Sequence, residues 1–134
     1  MPSRRHWFIS AAALLLAACV PEVRDSNVLL RDTLRQYAGH IRWSRFDEAA
    51  RWHSAATVSA AQAQAERYRV VRVLSADLET MNLKTPDSEA EATLKISYHL
   101  ETGSNVRQVL QKQRWLYDKE GGLWRLDGPL PAFK

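Results

Sequence analysis

Leu30, Leu34, Tyr37 and Ile41 recur three or four positions apart, the spacing that puts four apolar side chains on one face of a helix. Asp25-Ser26-Asn27 precede them, and their side-chain oxygens are suited to accept the backbone N–H groups that a first helical turn leaves free. This pattern predicts a helix over 26–43. Phe46, Ala49, Ala50 and Trp52 predict a second, shorter helix entered near Ser44 or Asp47. The alanine-rich run 59–67 predicts a third, since alanine has the best intrinsic helix propensity.

The period then shortens to two. Residues 68–83 are rich in β-branched side chains, with Val70, Val71 and Val73 close together. In ATLKISYHLE, Leu94, Ile96, Tyr98 and Leu100 point one way, and Thr93, Lys95, Ser97, His99 and Glu101 the other. Residues 106–118 form a third predicted strand and 123–126 a short last one. TPDSE, ETGSNV and DKEGG separate them as turns, with Gly103 and Asn105 able to take positive φ. Links this short favour an antiparallel meander. Helices followed by strands predict an α+β fold, with N-terminal helices packed on a curved antiparallel sheet of about four strands.

The N-terminus follows another logic. Arg4 and Arg5 precede an almost entirely apolar run, Trp7 to Ala18, that ends in the single cysteine, Cys19. A basic start and a short apolar run form the layout of an export signal, and the run is shorter than the ~20 residues a membrane span needs. Leu16-Ala17-Ala18-Cys19 resembles the bacterial lipobox, over residues 1–19. The resemblance implies cleavage between Ala18 and Cys19, a diacylglycerol on the thiol and acylation of the new amine. Two or more acyl chains anchor stably, at about 0.8 kcal/mol per buried methylene. Cys19 is thus read as an anchor, and no second cysteine exists to pair with it. Aspartate after the cysteine commonly favours inner-membrane retention in such lipoproteins. Val20 stands there, so the resemblance implies the periplasmic face of the outer membrane.

The chain then divides into a signal peptide (1–18), a lipidated tether (19–24) containing Pro21, and one domain (25–134). Arg4 and Arg5 have no acidic counterpart within the signal, so the net charge of +4 falls to +2 in the mature chain. That balance and a periplasmic address give no case for nucleic-acid binding.

The predicted domain resembles the nuclear-transport-factor-two-like superfamily, the cystatin-like α+β cone, over about residues 25–128. The residues that carry the likeness are Phe46-Asp47-Glu48-Ala49-Ala50 after a first helix, then the long strands. Trp115-Leu116-Tyr117-Asp118, Gly121-Gly122 and Trp124-Arg125-Leu126 resemble the family's last hairpin. The resemblance implies a sheet that wraps the helices around a conical pocket. The family includes dehydratases, isomerases, ligand binders and interaction domains, so fold alone leaves function open.

Enzymes of that superfamily use an Asp or Glu with a His or Tyr inside the cone, which makes Asp47, His53, Tyr98 and His99 the candidates. Each has an ordinary reading. Asp47 suits a helix cap, His53 the end of the same helix, and His99 the face of its strand opposite the apolar one. His40, His53 and His99 have no close pair at ligand spacing, so they read as surface or rim residues and no metal is expected. Trp115 and Trp124 read as core, whereas Trp43 and Trp52 fit core or surface equally. Arg24, Arg31, Arg35 and Arg42 fall in a narrow arc beside the apolar helix face, with Asp25 and Asp32 next to them.

These readings converge on a non-catalytic, membrane-anchored periplasmic lipoprotein without a cofactor. It is expected to bind an envelope protein partner, or a small apolar ligand, through Arg31, Arg35, Arg42, Trp43 and Trp52. The alternative is a hydro-lyase or isomerase-like enzyme using Asp47 with His53 or His99. A third reading is an accessory that holds a larger assembly at the membrane.

Overall fold

The computed structural model describes residues 26–85 and 88–134. The lipobox, the tether and Asp25 lie outside the described residues, as do Pro86 and Asp87 between the first two predicted strands.

The apolar stripe read from the sequence becomes the buried face of helix α1, Ser26–Arg42, where Leu30, Leu34, Tyr37 and Ile41 are all buried. Burying side chains of this size stabilises by about 1.5–3 kcal/mol each relative to leaving them exposed. Ser44 ends the helix cleanly with a φ of 56°, in the left-handed region. Two short helices follow, α2 (Phe46–Ala50) and α3 (Val58–Arg67). The chain enters α2 through Arg45, with no side-chain cap. Asp47 is therefore not the cap. It lies exposed in the first turn, where the helix dipole favours a carboxylate. α3 turns Ala61 and Ala65 inward, and such small side chains let it pack close.

Four strands complete the α+β fold: β1 (Val71–Thr85), β2 (Glu89–Leu100), β3 (Arg107–Asp118) and β4 (Leu123–Leu126). They form one open antiparallel sheet in the order β1-β2-β3-β4. The first strand starts at Val71, three residues later than its composition suggests, because Tyr68–Val70 make a 3-10 turn. In β2 the predicted alternation holds, with Leu94, Ile96 and Tyr98 buried on the face toward the helices. Trp115 and Trp124 have no solvent exposure and fill the centre of the core. β1 changes register against β2 three times, near Val73, Leu78 and Leu83. Each irregularity bends and twists the strand locally.

Each sheet edge is met at one point where a helix ends. The free edge of β4 pairs with the segment after α2: Ser54 N–H donates to Leu126 O at 2.8 Å, and Leu126 N–H to Trp52 O at 3.0 Å. The free edge of β1 is capped at Val73, whose N–H donates to Ser44 Oγ and whose carbonyl accepts from Arg42 Nη1, each at 3.1 Å. Such caps remove backbone groups that would otherwise recruit a foreign strand.

Candidate functional site

The inner face of β3 is not apolar. Gln111, Gln113 and Trp115 alternate along it, all buried, and they start a chain of hydrogen bonds through the core. Trp115 Nε1–H donates to Gln113 Oε1 at 2.8 Å, and Gln113 Nε2 donates to Gln111 Oε1 at 2.9 Å. Gln111 Nε2 donates to the Tyr37 hydroxyl of α1 at 3.1 Å and to the Pro129 carbonyl at 3.1 Å. Tyr37 in turn stands 3.1 Å from His53 Nε2, and His53 Nδ1 stands 2.6 Å from the Gly128 carbonyl.

That last contact fixes the polarity of the chain. A carbonyl only accepts, so Nδ1 carries the proton and Nε2 offers its lone pair to the Tyr37 hydroxyl. Burial lowers the His53 pKa below its ordinary value, partly offset by the Gly128 hydrogen bond, so the ring is neutral. Burial pushes the Tyr37 hydroxyl far above its ordinary value, against a smaller lowering by Gln111. Among the described residues no buried side-chain nitrogen or oxygen lacks a partner. Every member of the chain is therefore partnered, and its titratable members, His53 and Tyr37, are neutral. Its members tie α1, β3 and the segment after β4 together through the core. A cleft of about 500 Å³ opens beside His53, between Arg51, Ser54, Tyr117 and Arg125, but the ring nitrogens are already engaged inward.

The opposite side of the molecule presents an exposed feature. Trp43, just beyond α1, is 64% exposed, and the Arg42 guanidinium lies 4.4 Å from its ring centre. The same guanidinium donates to Val73 O, which ties Arg42 to β1. Beside it a groove of about 330 Å³ runs between α1 and β1, floored by Leu34, Ala38, Ala76 and Leu78 and flanked by Arg35 and Asp77. Ser44 and Arg72 border a second depression next to Trp43.

With this geometry in view, comparison with known proteins bears on the fold. No family model matches the chain, and no curated protein matches it. Two of the solved structures that share its architecture illustrate the likeness. One is a SEC-C motif containing protein from Rhodopseudomonas palustris, 11% identical with a TM-score of 0.55, the match covering 81% of this chain and 80% of that one. The other is the intermembrane space region of the chloroplast protein ARC6, 13% identical with a TM-score of 0.50, covering 78% and 95%. At these identities the likeness is one of fold.

The residues singled out in the sequence fall in different places. Arg31, Arg35 and Trp43 are exposed, and Arg42 is half-buried between Trp43 and β1. Trp52 is half-buried, 6.4 Å from the His40 ring, and His40 lies 3.0 Å from the Glu48 carboxylate. Arg24 and Cys19 lie outside the described residues. His53 is neither on a helix end nor at the rim. It sits past α2 with 2% exposure, turned onto Tyr37 and Gly128. His99 alternates with buried Tyr98 on β2 and bonds the Leu100 carbonyl through Nδ1 at 3.0 Å. Asp47 is exposed, so the structure does not gather it with His53 in the core. Among the described residues no three His, Cys, Asp or Glu side chains form a metal-holding group, and no helix is long and apolar enough to cross a membrane.

Sequence reading missed Tyr37, Gln111 and Gln113 as a connected set. The available signal was the period-two placement of two glutamines in register with Trp115, on a strand face that should be apolar.

Proposed function

We propose that this chain is a lipoprotein anchored through acylated Cys19 to the periplasmic face of the outer membrane. Its cone-like domain binds an envelope protein without catalysis, through the α1–β1 face. The observation that carries the reading is the stacked Arg42–Trp43 pair beside an apolar groove. Trp and Arg are the side chains that most often dominate interface energetics, and a pair already stacked loses less freedom on binding. Arg35 at the groove edge and exposed Arg31 one turn away favour an acidic partner.

A protein is favoured over a small apolar ligand because the inner face of the sheet is filled by Tyr37, Trp115 and Trp124. A non-catalytic role is favoured because both ring nitrogens of His53 are engaged within the core and Asp47 stands exposed, apart from them.

The anchor and the surface are tested separately. Cells fed an alkyne-bearing palmitate should label the wild-type protein, and Cys19→Ala should lose the label and remain uncut. An unlabelled wild type would contradict the anchor. Trp43→Ala should leave the melting temperature within the range typical of surface changes, about 0.5 kcal/mol, yet reduce co-purification with the partner about tenfold. Unchanged co-purification would contradict the surface.

A further inference from the structure

Residues 127–134, Asp-Gly-Pro-Leu-Pro-Ala-Phe-Lys, follow β4 and belong to no strand or helix, yet they are held along their length. Beyond Asp127 its bonds to the body are of one kind, receptor side chain to segment backbone. His53 Nδ1 donates to Gly128 O at 2.6 Å and Gln111 Nε2 to Pro129 O at 3.1 Å. Leu130 N–H donates to Gln64 Oε1 of α3 at 3.0 Å. The Tyr98 hydroxyl accepts from Lys134 N–H at 3.0 Å and donates to the Lys134 carbonyl at 3.1 Å.

The segment's own side chains supply the apolar part. Leu130 and Pro131 are buried. Phe133 enters a cage of Phe46, Tyr68 and Tyr98, at ring-centre distances of 5.3, 4.9 and 4.8 Å. Buried Pro131 brings no N–H that burial would leave unpaired, and the fixed φ of both Pro129 and Pro131 lowers the ordering cost. These are the features of an extended peptide seated in a cleft.

The segment also has a hinge. Asp127 is fixed to the body: its N–H donates to Arg114 O at 2.8 Å, and its carboxylate accepts from Ser54 Oγ and Arg114 Nη1. Gly128 follows, with a φ of 152° that side chains rarely adopt, and the strand pairing has already ended at Leu126. Everything beyond it can leave without breaking a sheet ladder bond.

We propose that this cleft is a peptide-binding site for an extended segment of the form Leu-Pro-x-Phe. Residues 128–134 fill it in cis, and a partner peptide of the same chemistry takes their place. The site shares no residue with the α1–β1 groove, so the two readings stand or fall apart.

The test uses the full chain and a fluorescent peptide of the sequence DGPLPAFK. Phe133→Ala weakens the cis occupant, so this variant should bind the peptide about tenfold more tightly than wild type. The same peptide with its Phe replaced by Ala should not bind. Hydrogen exchange on the wild type decides the matter if the variant fails to fold. The Leu130 and Lys134 amides should exchange at least about tenfold faster than those of β2 and β3. Absence of saturable binding to the folded variant, or tail amides that exchange only with the sheet, would overturn the proposal.

Discussion

His53 shows how much one side chain can depend on contacts made far along the chain. It is kept neutral by burial, and its two ring nitrogens face Tyr37 and a carbonyl 75 residues away. The unfolded chain takes up a proton near the ordinary value of 6.5, the folded chain only at lower pH. Between the two the unfolded state holds more protons, so this contribution is full above the unfolded value and is lost as pH falls below it. Urea midpoints should therefore drop between about pH 7.5 and about pH 5.5, and His53→Gln should flatten that slope while lowering stability throughout. An equal slope in both proteins would assign the acid sensitivity elsewhere. Tyr37→Phe leaves His53 Nε2 without its donor and removes one acceptor of Gln111, which should cost about 1–3 kcal/mol by denaturant titration. Ser44 permits a sharper comparison. Both Ser44→Gly and Ser44→Ala lose the acceptor for Val73 N–H, but only alanine keeps a Cβ at a φ of 56°. The glycine variant should be the more stable of the two by about 1 kcal/mol.

At the scale of elements, legibility followed the reach of the signal. α1 could be read because its buried face is set by local spacing, and Leu30, Leu34, Tyr37 and Ile41 all point inward. β2 could be read because strict alternation survives along it. β1 was less legible, since each of its register irregularities resets which residues face the helices. Leu78 illustrates this: it pairs with buried Leu94 yet is 41% exposed. The inward glutamines of β3 ran against the expectation of an apolar inner face, and only the distant Tyr37, Pro129 and Trp115 make them tolerable. Trp43 fitted core and surface equally in the sequence; its N–H still bonds Gly39 O in helical fashion, and two residues past buried Ile41 it lies on the far side of α1. Gly128 has a testable role as well. Gly128→Ala meets no neighbouring atom, so its cost comes from backbone conformation alone. It should destabilise by about 1 kcal/mol or more and raise exchange in residues 129–134 before exchange in the sheet.

The whole molecule presents two unlike surfaces. One is a cleft already filled by its own chain. The other is an exposed face where Arg42 and Trp43 stand beside an apolar groove with no covering segment among the described residues. If the protein works by holding a partner at the membrane, the second face should carry the contact. The most direct measurement is site-specific photo-cross-linking in intact cells. A photoreactive residue would replace Trp43 or, as a control, exposed Glu120 in the turn between β3 and β4. The account predicts a discrete cross-linked band from position 43 that is absent from position 120 and lost when Arg35 is changed to Glu. Equal bands from both positions, or none from position 43, would contradict it.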